Sequence, residues 1–281
     1  MTDKTVQLTQ GPVRYREEGE GPPVVFVHGV LVNGQLWRKV VPGVAAAGFR
    51  CITPDWPLGG HSVAMAADAD LTPFGQAKII ADFLEALDLS GALIVANDTG
   101  GAITQLLMTR HPERIGGVVL TPSDCFDMFF PPGFRYLKVL AKVPGGMWQV
   151  AQSLRFKAVQ RLPIAFGLVA KRPIPDDVAA GYVRSFIRNR LIRRDFGKFL
   201  RGVDTQLTID AAKKFPGFRK PVLLAWAAED RIFPVELAHR LAAVLPEARV
   251  VEIADSLTFV SEDQPDELAK QVIAFARVMA D

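Results

Sequence analysis

A short polar sequence between an apolar run and a helix-forming run carries the clearest chemical signal. Residues 92–96 are apolar, the sequence Asn-Asp-Thr-Gly-Gly occupies 97–101, and residues 102–108 favour a helix. This pattern predicts a buried strand that enters a helix through a very tight turn. The tip of such a turn has a strained backbone, which small residues two positions away permit. Asp98 is at the tip, and a carboxylate there is suited to attack strained or saturated carbon, as in epoxides and alkyl halides.

Apolar strands and amphipathic helices alternate on both sides of this turn, and they must position the carboxylate. After a predicted antiparallel hairpin at 6–17, the predicted strands cover residues 24–27, 50–53, 92–96, 117–120, 222–226 and 250–253. The predicted helices cover residues 35–47, 76–87, 101–109, 234–245 and 266–279. The alternation predicts the α/β class, with a mostly parallel eight-stranded sheet flanked by helices.

The alternation stops between residues 121 and 220. This region predicts several helices, which are interrupted by proline-containing stretches such as Pro131-Pro132 and Pro173-Ile174-Pro175. Because the sheet pattern resumes afterwards, we expect an insertion rather than an independent domain. The predicted organisation is a core made of residues 1–121 and 221–281, with a helical cap, residues 122–220, inserted after the sixth strand.

Polar residues follow three other predicted strands. His28 follows the strand 24–27, Asp124 comes just after the strand 117–120, and Asp230 comes just after the strand 222–226. Sites in open α/β sheets form at the carboxyl ends of the strands. We therefore expect these side chains to lie near Asp98.

Several of these segments resemble the α/β-hydrolase fold superfamily. The similarity is carried by the turn at 97–101, the His-Gly pair at 28–29, the sequence Ala-Glu-Asp-Arg at 228–231 and the final turn at 254–265. It extends over residues 6–281 and is greatest to the epoxide hydrolase and haloalkane dehalogenase branch. The resemblance implies an α/β-hydrolase fold with a helical cap over the active site.

The resemblance also implies roles for particular residues. Asp98 is expected to be the nucleophile or a proton-transfer carboxylate, and Asp230 the acid beside it. The alternative for Asp230 is an N-cap of the helix that follows. The backbone amides of Val30 and Thr99 are expected to form an oxyanion hole. His28 is expected to be a structural hydrogen-bonding residue rather than a base.

One member of the family's catalytic triad is missing. Phe259, Glu262 and the Gln-Pro pair are in register with the family pattern, but Thr258 stands where the catalytic histidine is expected. In the family that histidine activates the water that hydrolyses the ester formed on the aspartate. Threonine has no accessible pKa for this task.

Two residues are candidate substitute bases. His61 lies in a loop at the same end of the predicted sheet, although on the far flank, and a loop histidine bonded to backbone is the alternative. Asp124 is able to pair with Asp98 and raise the pKa of one of the two carboxyls. Its alternative is a turn carboxylate that caps the first helix of the cap.

The substrate side of the site also departs from the dehalogenase pattern. Thr99 and Val30 stand where the resemblance implies a halide-binding Trp and Asn. Asn33 and Trp37 are further candidates to reach the pocket. Epoxide hydrolases polarise the ring oxygen with two cap tyrosines, and Tyr136 and Tyr182 provide such a pair. These features favour an epoxide hydrolase-like hydrolase over a dehalogenase. The competing class is a ligand-binding pseudoenzyme, a lyase or a cyclase.

Composition narrows the remaining possibilities. The chain has 281 residues, a formal net charge of +3 and two cysteines. The small net charge argues against a nucleic-acid partner, and no apolar run approaches the roughly 20 residues of a membrane span. The N-terminal residues do not resemble a signal peptide. We expect a cytoplasmic enzyme with a small-molecule substrate, no cofactor or metal and no membrane partner, as a monomer or homodimer.

Overall fold

An eight-stranded sheet forms the centre of the fold. The structure is a computed structural model that describes residues 2–280. Within these residues the strands are β1 (Thr2–Leu8), β2 (Gly11–Glu18), β3 (Pro23–Val27), β4 (Arg50–Pro54), β5 (Ala92–Asp98), β6 (Ile115–Ser123), β7 (Val222–Ala227) and β8 (Ala248–Ile253).

The strand order places β5 in the middle of the sheet. The order is β1-β2-β4-β3-β5-β6-β7-β8. β1 and β2 pair antiparallel, as do β2 and β4, while all pairs from β4 to β8 are parallel. β3, β5 and β7 are buried along nearly their whole lengths, as expected for strands covered on both faces. The predicted α/β-hydrolase fold with a mostly parallel eight-stranded sheet is confirmed.

Helices cover the sheet and fill the region between β6 and β7. They are α1 (Val41–Ala46), α2 (Pro73–Ala86), α3 (Thr99–Arg110), α4 (Arg135–Leu140), α5 (Gly146–Ser153), α6 (Lys157–Gln160), α7 (Asp176–Arg188), α8 (Arg190–Gly202), α9 (Thr205–Ala212), α10 (Glu236–Ala242), α11 (Val260–Asp263) and α12 (Pro265–Ala280). Short 3₁₀ turns occupy Gly34–Trp37, Phe126–Met128, Pro132–Phe134 and Phe215–Gly217. Within residues 2–280, every helix is too short or too polar to cross a lipid bilayer.

The helix predicted at 35–47 is wrong in extent. The chain instead forms a 3₁₀ turn at Gly34–Trp37, followed by the short α1. Asn33 begins the 3₁₀ turn, because its side chain accepts the Gln35 N–H at 3.1 Å. Pro42 lies in the first turn of α1, where the missing N–H of proline has no cost. The chain therefore starts a second helix at this point.

A buried carboxylate connects the helical insertion, which lies between β6 and β7, to the sheet. Glu262 is almost fully buried and accepts two hydrogen bonds from the Arg38 guanidinium, while Lys39 Nζ lies 2.9 Å away. Tyr182, on α7 of the insertion, donates its hydroxyl to the same carboxylate at 3.3 Å. Paired and hydrogen-bonded in this way, the buried charge holds α7 against the core.

Candidate active site

Asp98 has the backbone conformation that the sequence predicts for the tip of a tight turn. It lies between the end of β5 and α3, with φ of 54° and ψ of −134°. A non-glycine residue adopts a positive φ only when the surrounding structure imposes it. The loop after β3 approaches the turn closely at Gly100, where a β-carbon would lie 2.5 Å from the carbonyl oxygen of His28. Packing against β3 thus fixes the position of Asp98.

A second close approach brings the Asp98 carboxyl group against the loop after β3. A β-carbon on Gly29 would lie 2.0 Å from Asp98 Oδ2, so only glycine fits there. In this arrangement the backbone amides of Thr99 and Val30 act on the Asp98 carboxyl group and lower its pKa. The two amides predicted to form an oxyanion hole therefore both face Asp98.

Burial has the larger effect on this carboxyl group. Burial, together with the nearby Asp230, raises the pKa of Asp98 to about 7 despite the amides of Thr99 and Val30. Near neutral pH the group therefore exists both as a carboxylate, which is a nucleophile, and as an acid, which is a proton donor.

Thr258 occupies the place between Asp230 and the cavity. Asp230 Oδ1 accepts the N–H groups of Ile232 and Phe233 at 2.7 and 2.8 Å. Burial raises the pKa of Asp230 to about 6, although these amides and the nearby Thr258 hydroxyl lower it. Asp230 Oδ2 and Thr258 Oγ1 both lack a hydrogen-bond partner of regular geometry among residues 2–280. An acid thus faces the expected base position, which holds no base.

Asp124 lies behind Asp98 and is completely buried. Its Oδ2 accepts the Thr99 hydroxyl at 2.9 Å, and its Oδ1 has no hydrogen-bond partner within the described part of the chain. Burial and the charge of Asp98 raise the pKa of Asp124 well above its ordinary value. Three carboxyl groups, including Asp230, therefore share this end of the sheet, and burial opposes the ionisation of all three together.

Asn97 contributes to the site in a way that the sequence analysis missed. Its Nδ2 donates to the carbonyl oxygen of Thr258 at 2.7 Å and to Thr121 Oγ1 at 2.9 Å. The residue before Asp98 thus fixes the loop that carries Thr258. The available signal was a polar, amide-bearing residue at the end of an otherwise apolar strand.

The two histidines nearest the site are engaged elsewhere. His28 Nε2 accepts the Trp56 N–H at 2.9 Å, and its Nδ1 lies 2.8 Å from the Gly29 carbonyl oxygen. Burial lowers the pKa of His28 to about 4, so it remains neutral near pH 7. His61 is buried with its Nε2 3.3 Å from Asp195 on α8. His61, considered above as a substitute base, does not line the cavity beside Asp98.

An apolar cavity of about 320 Å³ opens onto Asp98. Val30 and Thr258 line it from the core side, and Ile232, Phe233 and Phe259 line it from the loops after β7 and β8. The insertion supplies the larger wall, which includes Phe130, Phe134, Leu137, Leu140, Val150, Leu154, Val159, Ile164 and Phe166. A cavity of this size and lining has room for a small, largely apolar molecule.

The four residues proposed to contact substrate are not all at this cavity. Tyr136 lines it, although its hydroxyl donates to the Ile164 carbonyl at 2.9 Å. Tyr182 is fully buried against Glu262, Trp37 packs on Phe26 in the core, and Asn33 caps a 3₁₀ turn. The structure therefore places Tyr182, Trp37 and Asn33 away from the cavity.

The strand order and the turn that carries Asp98 define an α/β-hydrolase fold. The chain belongs to the alpha/beta hydrolase fold family, which matches residues 22–265. Within residues 2–280, no group of three His, Cys, Asp or Glu side chains is arranged to hold a metal ion.

Relatives and solved structures agree with this assignment. Haloalkane dehalogenase 2 of Mycobacterium tuberculosis is 27% identical over 271 residues, which span 94% of this chain and 91% of the relative. A cis-3-alkyl-4-alkyloxetan-2-one decarboxylase of Shewanella oneidensis is 25% identical over 279 residues, with 94% and 84% covered. The crystal structure of haloalkane dehalogenase DbeA from Bradyrhizobium elkani has a TM-score of 0.80 at 22% identity, covering 99% of this chain and 98% of that one. The resemblance to the dehalogenase branch is confirmed.

The raised pKa of Asp98 predicts a pH-dependent effect on stability. Because the folded pKa of about 7 lies above the ordinary value of 3.8, the folded state binds this proton more tightly, and stability is lost as the pH rises between the two values. Relative to Asp98→Asn, the native chain should lose about 2–3 kcal/mol of unfolding free energy between about pH 5 and about pH 8. Urea unfolding at both pH values measures this difference.

The matched control is Asp68→Asn, which removes an exposed carboxyl group elsewhere on the chain. It should follow the native pH dependence closely. Parallel curves for the native chain and Asp98→Asn would show that the Asp98 pKa is not raised.

Proposed function

We propose that this chain is an α/β-hydrolase-fold hydrolase that acts on a small, largely apolar substrate through the Asp98 carboxyl group. The observation that supports this most is the position of Asp98, at the strand–helix turn, facing the apolar cavity and flanked by the amides of Val30 and Thr99. Asp230 stands beside it as the acid.

The first chemical step is a displacement at carbon. The ionised carboxylate of Asp98 attacks an electrophilic carbon in the cavity, and a C–O ester bond forms as the carbon–leaving-group bond breaks. The leaving group takes the electron pair, as halide from an alkyl halide or as alkoxide from an epoxide. An alkoxide then takes up a proton from water. The amides of Val30 and Thr99 hold the carboxyl oxygen that does not attack.

The second step requires an activated water molecule, and the site is poorly equipped to activate one. Hydrolysis of the ester needs a base that removes a proton from water. Thr258, which stands where the resemblance implies a histidine, lines the cavity, and no histidine of the described chain lines it. The other candidate base, Asp124, is buried behind Asp98 and does not line this cavity, so we expect hydrolysis to be much slower than ester formation.

Two observations led us to expect epoxides rather than alkyl halides as substrates, and the structure removes one of them. The expectation relied on Tyr136 and Tyr182 acting together, and Tyr182 is occupied by Glu262 and Arg38 away from the cavity. Tyr136 alone remains on the cavity wall. Alkyl halides and epoxides are therefore both candidate substrates.

Mass spectrometry of the intact protein tests the mechanism. After incubation with a panel of apolar epoxides and alkyl bromides, the native chain should accumulate an adduct, whereas Asp98→Asn should not. Thr258→His places an imidazole beside Asp230, and it should speed adduct hydrolysis by at least about 100-fold, the usual minimum for a general base. The adduct mass distinguishes ring opening from loss of bromide.

Thr258→Ser is the matched control, since it alters the same position without adding a base. It should retain the adduct. Turnover of the native chain that Asp98→Asn leaves intact would contradict the proposal. A Thr258→His variant with native melting temperature and no faster hydrolysis would contradict the account of the missing base.

A decarboxylating lyase is a second candidate, favoured by the absence of a base at position 258. The relative from Shewanella oneidensis is named for decarboxylation of a dialkyl oxetan-2-one. Loss of carbon dioxide from that ring breaks one C–O and one C–C bond and leaves an alkene, with no water consumed. A site without a water-activating group is suited to such a reaction.

Gas chromatography of the products tests this second candidate. With a cis-3,4-dialkyl oxetan-2-one, the native chain should release the alkene, Asp98→Asn should not, and Thr258→His should bring no acceleration. Formation of the hydroxy acid instead of the alkene would assign hydrolysis of the ring and exclude the lyase.

A further inference from the structure

The charge of this chain is distributed very unevenly. Residues 128–175 contain eight Lys or Arg residues and no Asp or Glu. The whole chain has 33 basic and 30 acidic residues, so the remainder carries a net negative charge. The basic segment forms the first half of the helical insertion, from the end of the 3₁₀ turn at Phe126–Met128 to the residue before α7.

The same segment exposes large apolar side chains. Of the nine large hydrophobic residues exposed in the described part of the chain, six lie here: Val139, Val143, Trp148, Phe156, Leu162 and Ile164. Trp148 and Phe156 are 56% and 66% exposed. Aromatic side chains of this size are normally buried, and a concentration of exposed apolar residues in one segment indicates an interaction surface.

Several of the cations in this segment are available for a partner. Lys138, Lys142 and Arg155 form no ion pair with any carboxylate of residues 2–280. Burial and the charge of Arg155 together lower the pKa of Arg193, so Arg155 lies near a like charge. Such an arrangement is relieved by an anionic partner.

One of the exposed residues also lines the cavity. Ile164 is 47% exposed and also lines the cavity. The Tyr136 hydroxyl, on α4, donates to the Ile164 carbonyl and so holds α4 against this loop. The exposed apolar residues and much of the cavity wall thus belong to the same segment of the insertion.

We propose that this surface, residues 135–164, docks onto an anionic lipid bilayer. Trp148 and Phe156 enter the headgroup region, while Lys138, Lys142 and Arg155 face lipid phosphates. The protein lies on the bilayer without spanning it. Docking places the cavity beside the phase in which apolar molecules dissolve. The inference revises the expectation of no membrane partner, and it does not depend on the chemistry of Asp98.

Charge favours a bilayer over a second copy of the chain. In a symmetric dimer each copy would present the same patch to the other. Asp176 is already paired with Lys157 and Arg161, so the unpaired cations of the two patches would face each other. Repulsion between them opposes that pairing. A surface of anionic lipid supplies the opposite charge together with an apolar layer.

Vesicle flotation tests the docking with the full chain. The native protein should float with vesicles of equimolar phosphatidylcholine and phosphatidylglycerol and remain unbound with phosphatidylcholine alone. The triple variant Lys138→Gln, Lys142→Gln, Arg155→Gln should weaken binding at least about tenfold, since each cation near an anionic surface contributes roughly a fivefold factor. The double variant Trp148→Ala, Phe156→Ala should also weaken it.

Tryptophan fluorescence provides a local readout. Trp148 is 56% exposed, whereas the other three tryptophans, Trp37, Trp56 and Trp226, are at most 1% exposed. Binding to anionic vesicles should shift the emission to shorter wavelength and protect it from iodide. Trp148→Phe should abolish the shift while retaining flotation.

The matched control is Lys214→Gln, Arg219→Gln, Lys270→Gln, which removes three exposed charges elsewhere and should bind like the native chain. Three results would each overturn the proposal: no binding to anionic vesicles, equal binding to both vesicle types, or equal loss in the control. Light scattering of the protein without lipid measures its oligomeric state and so tests the alternative, a dimer formed through this surface. A dimer that Trp148→Ala, Phe156→Ala dissociates would assign the surface to a second copy.

Discussion

The backbone conformation of Asp98 is the constraint on which the site depends. A positive φ of 54° at the end of β5 is maintained because Gly100 and Gly29 allow the surrounding loops to approach without side chains. That approach sets the amides of Val30 and Thr99 against the carboxyl group. Replacing either glycine would force the loop after β3 away from Asp98. The strained backbone, the close packing and the contact of the amides with the carboxyl group would then change together.

Burial under the insertion then determines the chemistry of the carboxyl group. Burial raises the pKa of Asp98 to about 7 and that of Asp230 to about 6, because desolvation disfavours the charged forms. Without an imidazole at Thr258, the arrangement is suited to bond formation at Asp98 and poorly suited to the release of a covalent ester by water.

Features that depend on neighbouring residues in the sequence were predictable, and features that depend on contacts between distant residues were not. The turn at Asp98, the loop at His28 and the acid at Asp230 have local signals, because each follows an apolar strand directly. The cavity walls were not predictable, because they depend on how α4 to α6 pack on the core. Tyr182 illustrates this: it lies in the region where helices were predicted, but its contact with Glu262, 80 positions away, required the tertiary structure.

The central claim is that the Asp98 carboxyl group itself attacks the substrate carbon. Peptide sequencing by tandem mass spectrometry, after the native chain has reacted with an apolar electrophile, tests it most directly. The account predicts the added mass on Asp98 alone. Added mass on Asp124, Asp230 or Cys125, or consumption of the electrophile with no added mass on the Asp98 peptide at any time point of a rapid-quench series, would contradict it.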